Sequence, residues 1–132
     1  MAKTLADLIK RDENVTFRQL EEAERENIGT VEGQTIPDAT NMLTMRALMA
    51  TPHVIVLYSI RKKGLTDPEH YHTDHDTVST LISGHLKIHI DGKVYDARPG
   101  SVWRHRPGAK HYSETIEDSV VLEIKTPPAK TW

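Results

Sequence analysis

Cysteine is absent from this 132-residue chain. The fold therefore has no disulfide staple, thiol catalysis is excluded, and any zinc-type site has to use imidazole and carboxylate in place of thiolate. An excess of either charge is also lacking: 17 Lys and Arg against 19 Asp and Glu leave a net charge of −2. That balance gives no electrostatic reason to expect nucleic acid or an anionic membrane as partner. Long apolar runs are missing too. None approaches the ~20 residues of a membrane span, and the stretch Met1 to Lys10 lacks the apolar centre of a secretory signal. A soluble, cytoplasmic protein is the expectation, and 132 residues suit one domain with a real core, not two. No Gly-rich phosphate loop, Ser-His-Asp order or paired-glutamate signature stands out.

The first thirty residues read as helical. Thr4 and Asp7 have capping-box spacing, with Leu5, Leu8 and Ile9 forming one apolar stripe behind them. A second helix is expected to open at Thr16, with Gln19 three residues on and Gly29 as its stop. Its Glu21 to Glu26 run reads as a solvated helix face. Residues 1–35 are thus an N-terminal helical segment, and 36–128 the main domain.

From residue 42 onward the texture changes to short apolar or alternating segments punctuated by Gly, Pro and Asp. Strands are expected over Val54–Ile60, Val78–Ile82, His85–Ile90, Lys93–Asp96, Val102–His105 and Ser119–Ile124, with Asp91-Gly92 as a two-residue hairpin turn. Pro127-Pro128 ends the last strand. Many short strands with closely spaced turn signals indicate an all-β sandwich or barrel.

Against this background His70-Tyr71-His72 and His111 stand out. Residues two apart on a strand share a face about 6.6 Å apart along it, so the first two imidazoles can aim at one point. His111 follows the Pro107-Gly108 turn, where a neighbouring strand would bring its ring into the same pocket. Three imidazoles at about 2.0–2.1 Å would hold one divalent metal. A His-x-His pair alone is weak, and the frame around it carries the reading.

Gly64 followed by five residues and His70-x-His72, and Gly100 followed by five residues, Arg106-Pro107-Gly108, two residues and His111, resemble the two conserved motifs of the cupin superfamily. The resemblance covers roughly residues 50 to 126. It implies an all-β fold, a double-stranded β-helix or jelly-roll barrel behind the short helical segment, with a metal between the motifs on His70, His72 and His111. The chain departs from the pattern at Arg106, where proline is usual, and in the fourth ligand, where the family has a Glu. One motif spacing from His72 lands on Asp76, and a count back from Gly84 lands on Thr77. Coordination chemistry favours the Asp76 carboxylate over a neutral hydroxyl, re-aimed by a bulge. Thr77, His75 and a water molecule stay open. The metal can be iron, manganese, nickel or zinc.

Other residues receive plainer readings. His85 and His89 share a face with Lys87 and should meet solvent, opposite Leu86, Ile88 and Ile90. One of the pairs Trp103/His105 and Arg104/Arg106 faces inward. Arginines inside would clamp an anion, and solvated arginines are the plainer choice. Arg61-Lys62-Lys63 reads as a solvated loop, and Met42, Met45 and Met49 as core, or else a flexible pocket wall. Val54 to Leu57 offers an apolar outer face that a two-fold partner would cover, so a homodimer is expected.

The segment Asp118 to Pro128 is similar to the closing strand of the small pectin-degradation-type cupins, which open unsaturated uronate rings. The resemblance implies a metal-dependent enzyme acting on a small, sugar-acid-like oxygenated molecule by Lewis-acid isomerisation, ring opening or elimination. His75 or Asp76 would move the proton. An Fe(II) dioxygenase and a non-catalytic metal- or ligand-sensing cupin are the alternatives.

Overall fold

A computed structural model describes residues 3–37 and 39–132. Helix α1 (Leu5–Asp12) starts where the capping residues require it. The Thr4 hydroxyl accepts from the Asp7 N–H at 3.1 Å, and the Thr4 N–H donates to the Asp7 carboxylate at 3.0 Å. Leu8 is buried in the main core, with Leu5 and Ile9 packed beside it. At its end the buried Asp12 carboxylate accepts from Arg11 at 2.7 Å and from the Ala50 N–H at 2.8 Å, and pairs with Arg18 at 2.8 Å. Burial alone would raise this carboxyl; the hydrogen bonds from Arg11, Arg18 and Ala50 outweigh it and hold it down to about 2. Among the described residues no helix is long and apolar enough to cross a membrane.

The second expected helix does not form. A single 3-10 turn, Leu20–Glu22, is followed by strand β1 (Arg25–Asn27). β1 pairs with β4 (Leu43–Ala50), Arg25 opposite Arg46 and Asn27 opposite Thr44. Arg46 donates to the Ala23 carbonyl, and Ala23 and Ile28 are buried. Sheet pairing and these two anchors override the local helical preference of the Glu-rich run, which stays exposed but off a helix. Strands β2 (Thr30–Val31) and β3 (Gln34–Thr35) then form a hairpin around Glu32 and Gly33, both at positive φ.

The remaining strands are β5 (Ile55–Arg61), β6 (Asp76–Ile90), β7 (Lys93–Ala97), β8 (Val102–His105) and β9 (His111–Thr126). All pairings are antiparallel, in the order β1-β4-β5-β9-β6-β7, with β8 on β6. The result is an all-β jelly roll. The two runs expected at Val78–Ile82 and His85–Ile90 are one strand of 15 residues, bent in the middle. Its register against β9 shifts between Leu81 and Leu86. Gly84 sits in that bend at φ +100°, where a Cβ would overlap the Ser119 side chain and the Asp118 carbonyl. The Asp91-Gly92 turn forms with both residues at positive φ, as a two-residue hairpin requires.

The interior holds two apolar clusters. One gathers Leu8, Ile28, Ile36, Leu43, Met45, Ile55, Leu57 and Leu65; the other is Leu81, Leu86, Ile88, Ala97 and Val121. Met45 therefore belongs to the core. Ile55 and Leu57 are fully buried, so of the Val54–Leu57 run only Val54 and Val56 stay partly exposed on the outer side. Exposed apolar side chains lie elsewhere, on β6, β7, β8 and β9: Val78, Ile82, Val94, Val102 and Ile124.

Candidate metal centre

His70 and His72 lie on the irregular segment leading into β6 and not on a regular strand, yet alternation holds: both rings are buried and Tyr71 between them is half exposed. Main-chain bonds join this segment to the start of β9. His70 N–H donates to the His111 carbonyl at 3.0 Å and His111 N–H to the His70 carbonyl at 2.9 Å. Gly108 N–H donates to the His72 carbonyl at 2.7 Å, tying the Pro107-Gly108 turn to the same place. Two motifs some forty residues apart in sequence are thus fastened by backbone.

Each imidazole is held by its far nitrogen. Nδ1 of His70 donates to the Pro68 carbonyl at 2.7 Å, Nδ1 of His111 to the Ala109 carbonyl at 2.9 Å, and Nδ1 of His72 to Glu32 Oε1 at 2.7 Å. A proton on Nδ1 leaves the Nε2 lone pair free, and such acceptors are what orient metal-binding histidines. One ligand atom from each of the three rings lies within 4.8 Å of the others. Burial, then the fields of Lys125 and of the other imidazoles, lowers His72 to about 2; burial and the His70 charge lower His111 to about 4. Both are neutral at neutral pH, the form that ligates. The donor set is one that a divalent cation such as zinc, iron, nickel or manganese accepts.

Asp76 is not brought to this cluster. On β6 the inward residues are Thr77, Ser79 and Leu81, so Asp76 faces outward, where its two oxygens meet Arg104 Nε at 2.8 Å and Nη2 at 2.6 Å. No bulge interrupts the register at its end of the strand to turn it round. Thr77 and His75, the other sequence alternatives, both face in. The His75 ring centroid stands 4.5 Å from that of His72, with Nδ1 donating to Asp74 at 2.8 Å. Thr77 Oγ1 accepts from Lys125 Nζ at 3.2 Å.

Trp103 and His105 take the inward side of β8, leaving Arg104 and Arg106 exposed and without a role as an internal clamp. His105 stacks on His111 with centroids 3.5 Å apart and planes 15° off parallel. Two further expectations change. Arg61 is buried, not solvated, and donates to Asp67 and Ser113, both at 2.9 Å. His85 is buried beside Asp96 at 2.6 Å and His89 is half-buried beside Glu114; the two carboxylates, both opposite Lys87, cover the imidazoles on that face.

A small cleft of about 70 Å³ opens on the three histidines. Apolar side chains, among them Ile28, Met45, Leu86 and Ile88, form part of its wall, and Arg61, Asp67, Glu123 and Lys125 supply polar groups. Glu32, Glu123 and Lys125 carry no motif and are not apparent from the sequence. Apolar alternation in β9 favours Val120, Leu122 and Ile124 as the inward set; the structure buries Ser119, Val121 and Lys125 and leaves Ile124 partly exposed. His105 was visible only as one member of an undecided pair.

This architecture has relatives. A family model described as Cupin domain matches residues 56–124, just over half the chain. The chain belongs to the cupin family. Among solved structures, this cupin is similar to KdgF from Halomonas sp., with 16% identity over 87% of this chain and 96% of that one, at a TM-score of 0.75. A predicted oxalate decarboxylase from Thermotoga maritima matches at 17% identity over 84% and 98% of the two chains, TM-score 0.70. A sugar phosphate isomerase of the cupin superfamily from Silicibacter pomeroyi matches at 20% identity over 84% and 75%, TM-score 0.69. At such identities the likeness is one of fold. A search of curated proteins found no match.

Proposed function

We propose that this cupin binds one divalent metal on His70, His72 and His111 and is an enzyme acting on a small, sugar-acid-like oxygenated molecule without redox change. The observation that carries the reading is the set of three buried Nδ1 atoms, each tied to its own acceptor, with the three free nitrogens close together. When bound, the metal supplies Lewis acidity to a carbonyl or hydroxyl oxygen of the substrate. The chain's own groups do the rest. The apolar wall excludes water, Arg61 is locked by Asp67, and the imidazole of His75 or the carboxylate of Glu123 takes up or returns a proton during isomerisation, ring opening or elimination. The names of the structural neighbours, a sugar phosphate isomerase and a predicted oxalate decarboxylase among them, are compatible with small oxygenated substrates.

Elemental analysis of untagged wild type and His72→Ala tests the metal. One equivalent in the wild type and a loss of at least about 90% in the variant are expected, since removing one of three ligands removes most of the affinity; equal content would end the reading. Anaerobic turnover of small sugar acids tests the chemistry. Strict O₂ consumption would move the protein to the dioxygenases, and binding without turnover to the sensors.

The same reading includes a cytoplasmic homodimer. Val78 and Ile124 are cross-strand neighbours on the outer face of the sheet, and Val102 and Ile82 extend an exposed apolar surface that a two-fold copy would cover. Sedimentation at micromolar concentration is expected to give twice the chain mass, 15.0 kDa; a monomer would contradict it.

A further inference from the structure

Lys125 is an unusual residue to find inside this barrel. It is 3% exposed, its Nζ lines the histidine cleft, and among the described residues no carboxylate comes within 4.0 Å of it. Its hydrogen bonds go to Thr77 Oγ1 at 3.2 Å and His75 Nε2 at 3.5 Å, both neutral acceptors. Arg61, the other cation of the cleft, already has Asp67. Of the three acidic groups whose fields reach Lys125, Glu123 lines the same cleft without an ion pair to it, Glu32 is engaged by His72 and Asp74 by His75. A buried ammonium without a counter-ion is costly and is kept where something anionic meets it.

The strand register shows what surrounds it. Thr77 on β6 is paired directly with Lys125 on β9 to one side and with His105 on β8 to the other. All three side chains face inward, forming one row across three adjacent strands. At the far end of the row His105 Nε2 is buried with no hydrogen-bond partner. Thr77, which accepts from Lys125, keeps its own hydroxyl hydrogen to donate. The row therefore presents an ammonium, a hydroxyl and an imidazole nitrogen at the edge of the histidine cluster, where the cupin pattern would place a carboxylate ligand.

We propose that Lys125, Thr77 and His105 form an anion-binding row that receives the carboxylate of a small organic acid while its neighbouring oxygens face His70, His72 and His111. This rests on the functional reading above only in taking both ends to belong to one molecule. The geometry fits a compact 2-oxo or 2-hydroxy acid or a uronate, in which a carboxylate and a second oxygen are adjacent. A neutral sugar leaves the ammonium unpaired and is selected against.

Calorimetric titration of untagged protein, both stripped with chelator and reloaded with zinc, tests this with oxalate, pyruvate and D-galacturonate as probes and D-galactose as the neutral control. At least one acid is expected to bind both forms, and Lys125→Met to weaken it by about tenfold or more in each, the effect of losing a charge-assisted contact. Thr77→Val, which keeps the lysine, is expected to weaken the same acid by a smaller factor. The melting temperature of ligand-free Lys125→Met should equal or exceed that of wild type, because the variant removes an unpaired buried charge. Unchanged affinity for every acid in Lys125→Met, no acid binding to folded wild type, or equal binding of D-galactose would overturn the proposal. If zinc is not retained but Lys125-dependent binding to stripped protein persists, the metal reading fails and the row stands. Retained zinc with Lys125-independent binding is the reverse.

Discussion

The two halves of β6 run through the same barrel and have opposite interiors. Beyond the bend, Leu86 and Ile88 point inward into an apolar cluster, and Lys87 faces solvent. Before it, Thr77 and Ser79 point inward among histidines and Lys125, and the apolar Val78 is on the outside. The inward set changes from polar to apolar at Leu81, and Leu86 and Ile88 both pack in the cluster and form wall of the histidine cleft. Ser79 Oγ and His105 Nε2 are buried without partners in the polar half. In a core these would be defects; beside a cleft they are unspent hydrogen-bonding capacity.

The comparison breaks most severely at the hinge between the halves. Gly84→Val combines a left-handed backbone position with overlap against Asp118 and Ser119. A loss of ~3 kcal/mol or more is expected in urea unfolding, enough to abolish soluble protein; a variant as stable as wild type would mean that the bend does not depend on glycine. A second pair of substitutions sharpens the contrast. Leu86→Ala should cost about 2–5 kcal/mol through the cavity it leaves, while Thr77→Val, which keeps the volume but takes an acceptor from buried Lys125, should cost about 1–3 kcal/mol. Equal penalties at the two positions would erase the distinction between the apolar and the polar inward positions of β6.

How far the sequence conveys this depends on whether a feature is local. Thr4 with Asp7, the Asp91-Gly92 turn and the three histidines are read from neighbours a few residues away, and the structure agrees with them. The stretch Thr16 to Gly29 looked helical because its decisive partner, β4, lies roughly twenty residues downstream. Asp76 was favoured on ligand chemistry, but strand parity puts Thr77 inside and Asp76 on Arg104. Lys125 was invisible for a related reason. Alternation tells which residues share a face and not which face is interior, and in β9 the buried face carries Ser119, Val121 and Lys125 while the apolar Ile124 is partly exposed.

The paired main-chain bonds between His70 and His111 have a consequence for how this chain can vary. They close the intervening residues into a loop whose base is the site itself, with Gly108 N–H on the His72 carbonyl as a second stitch. The turns beyond that clasp, Asp91-Gly92 and Pro99-Gly100, can lengthen at an entropic cost that grows only logarithmically with loop size. Neither turn lines the cleft, so an insertion there leaves the spacing of the imidazoles unchanged.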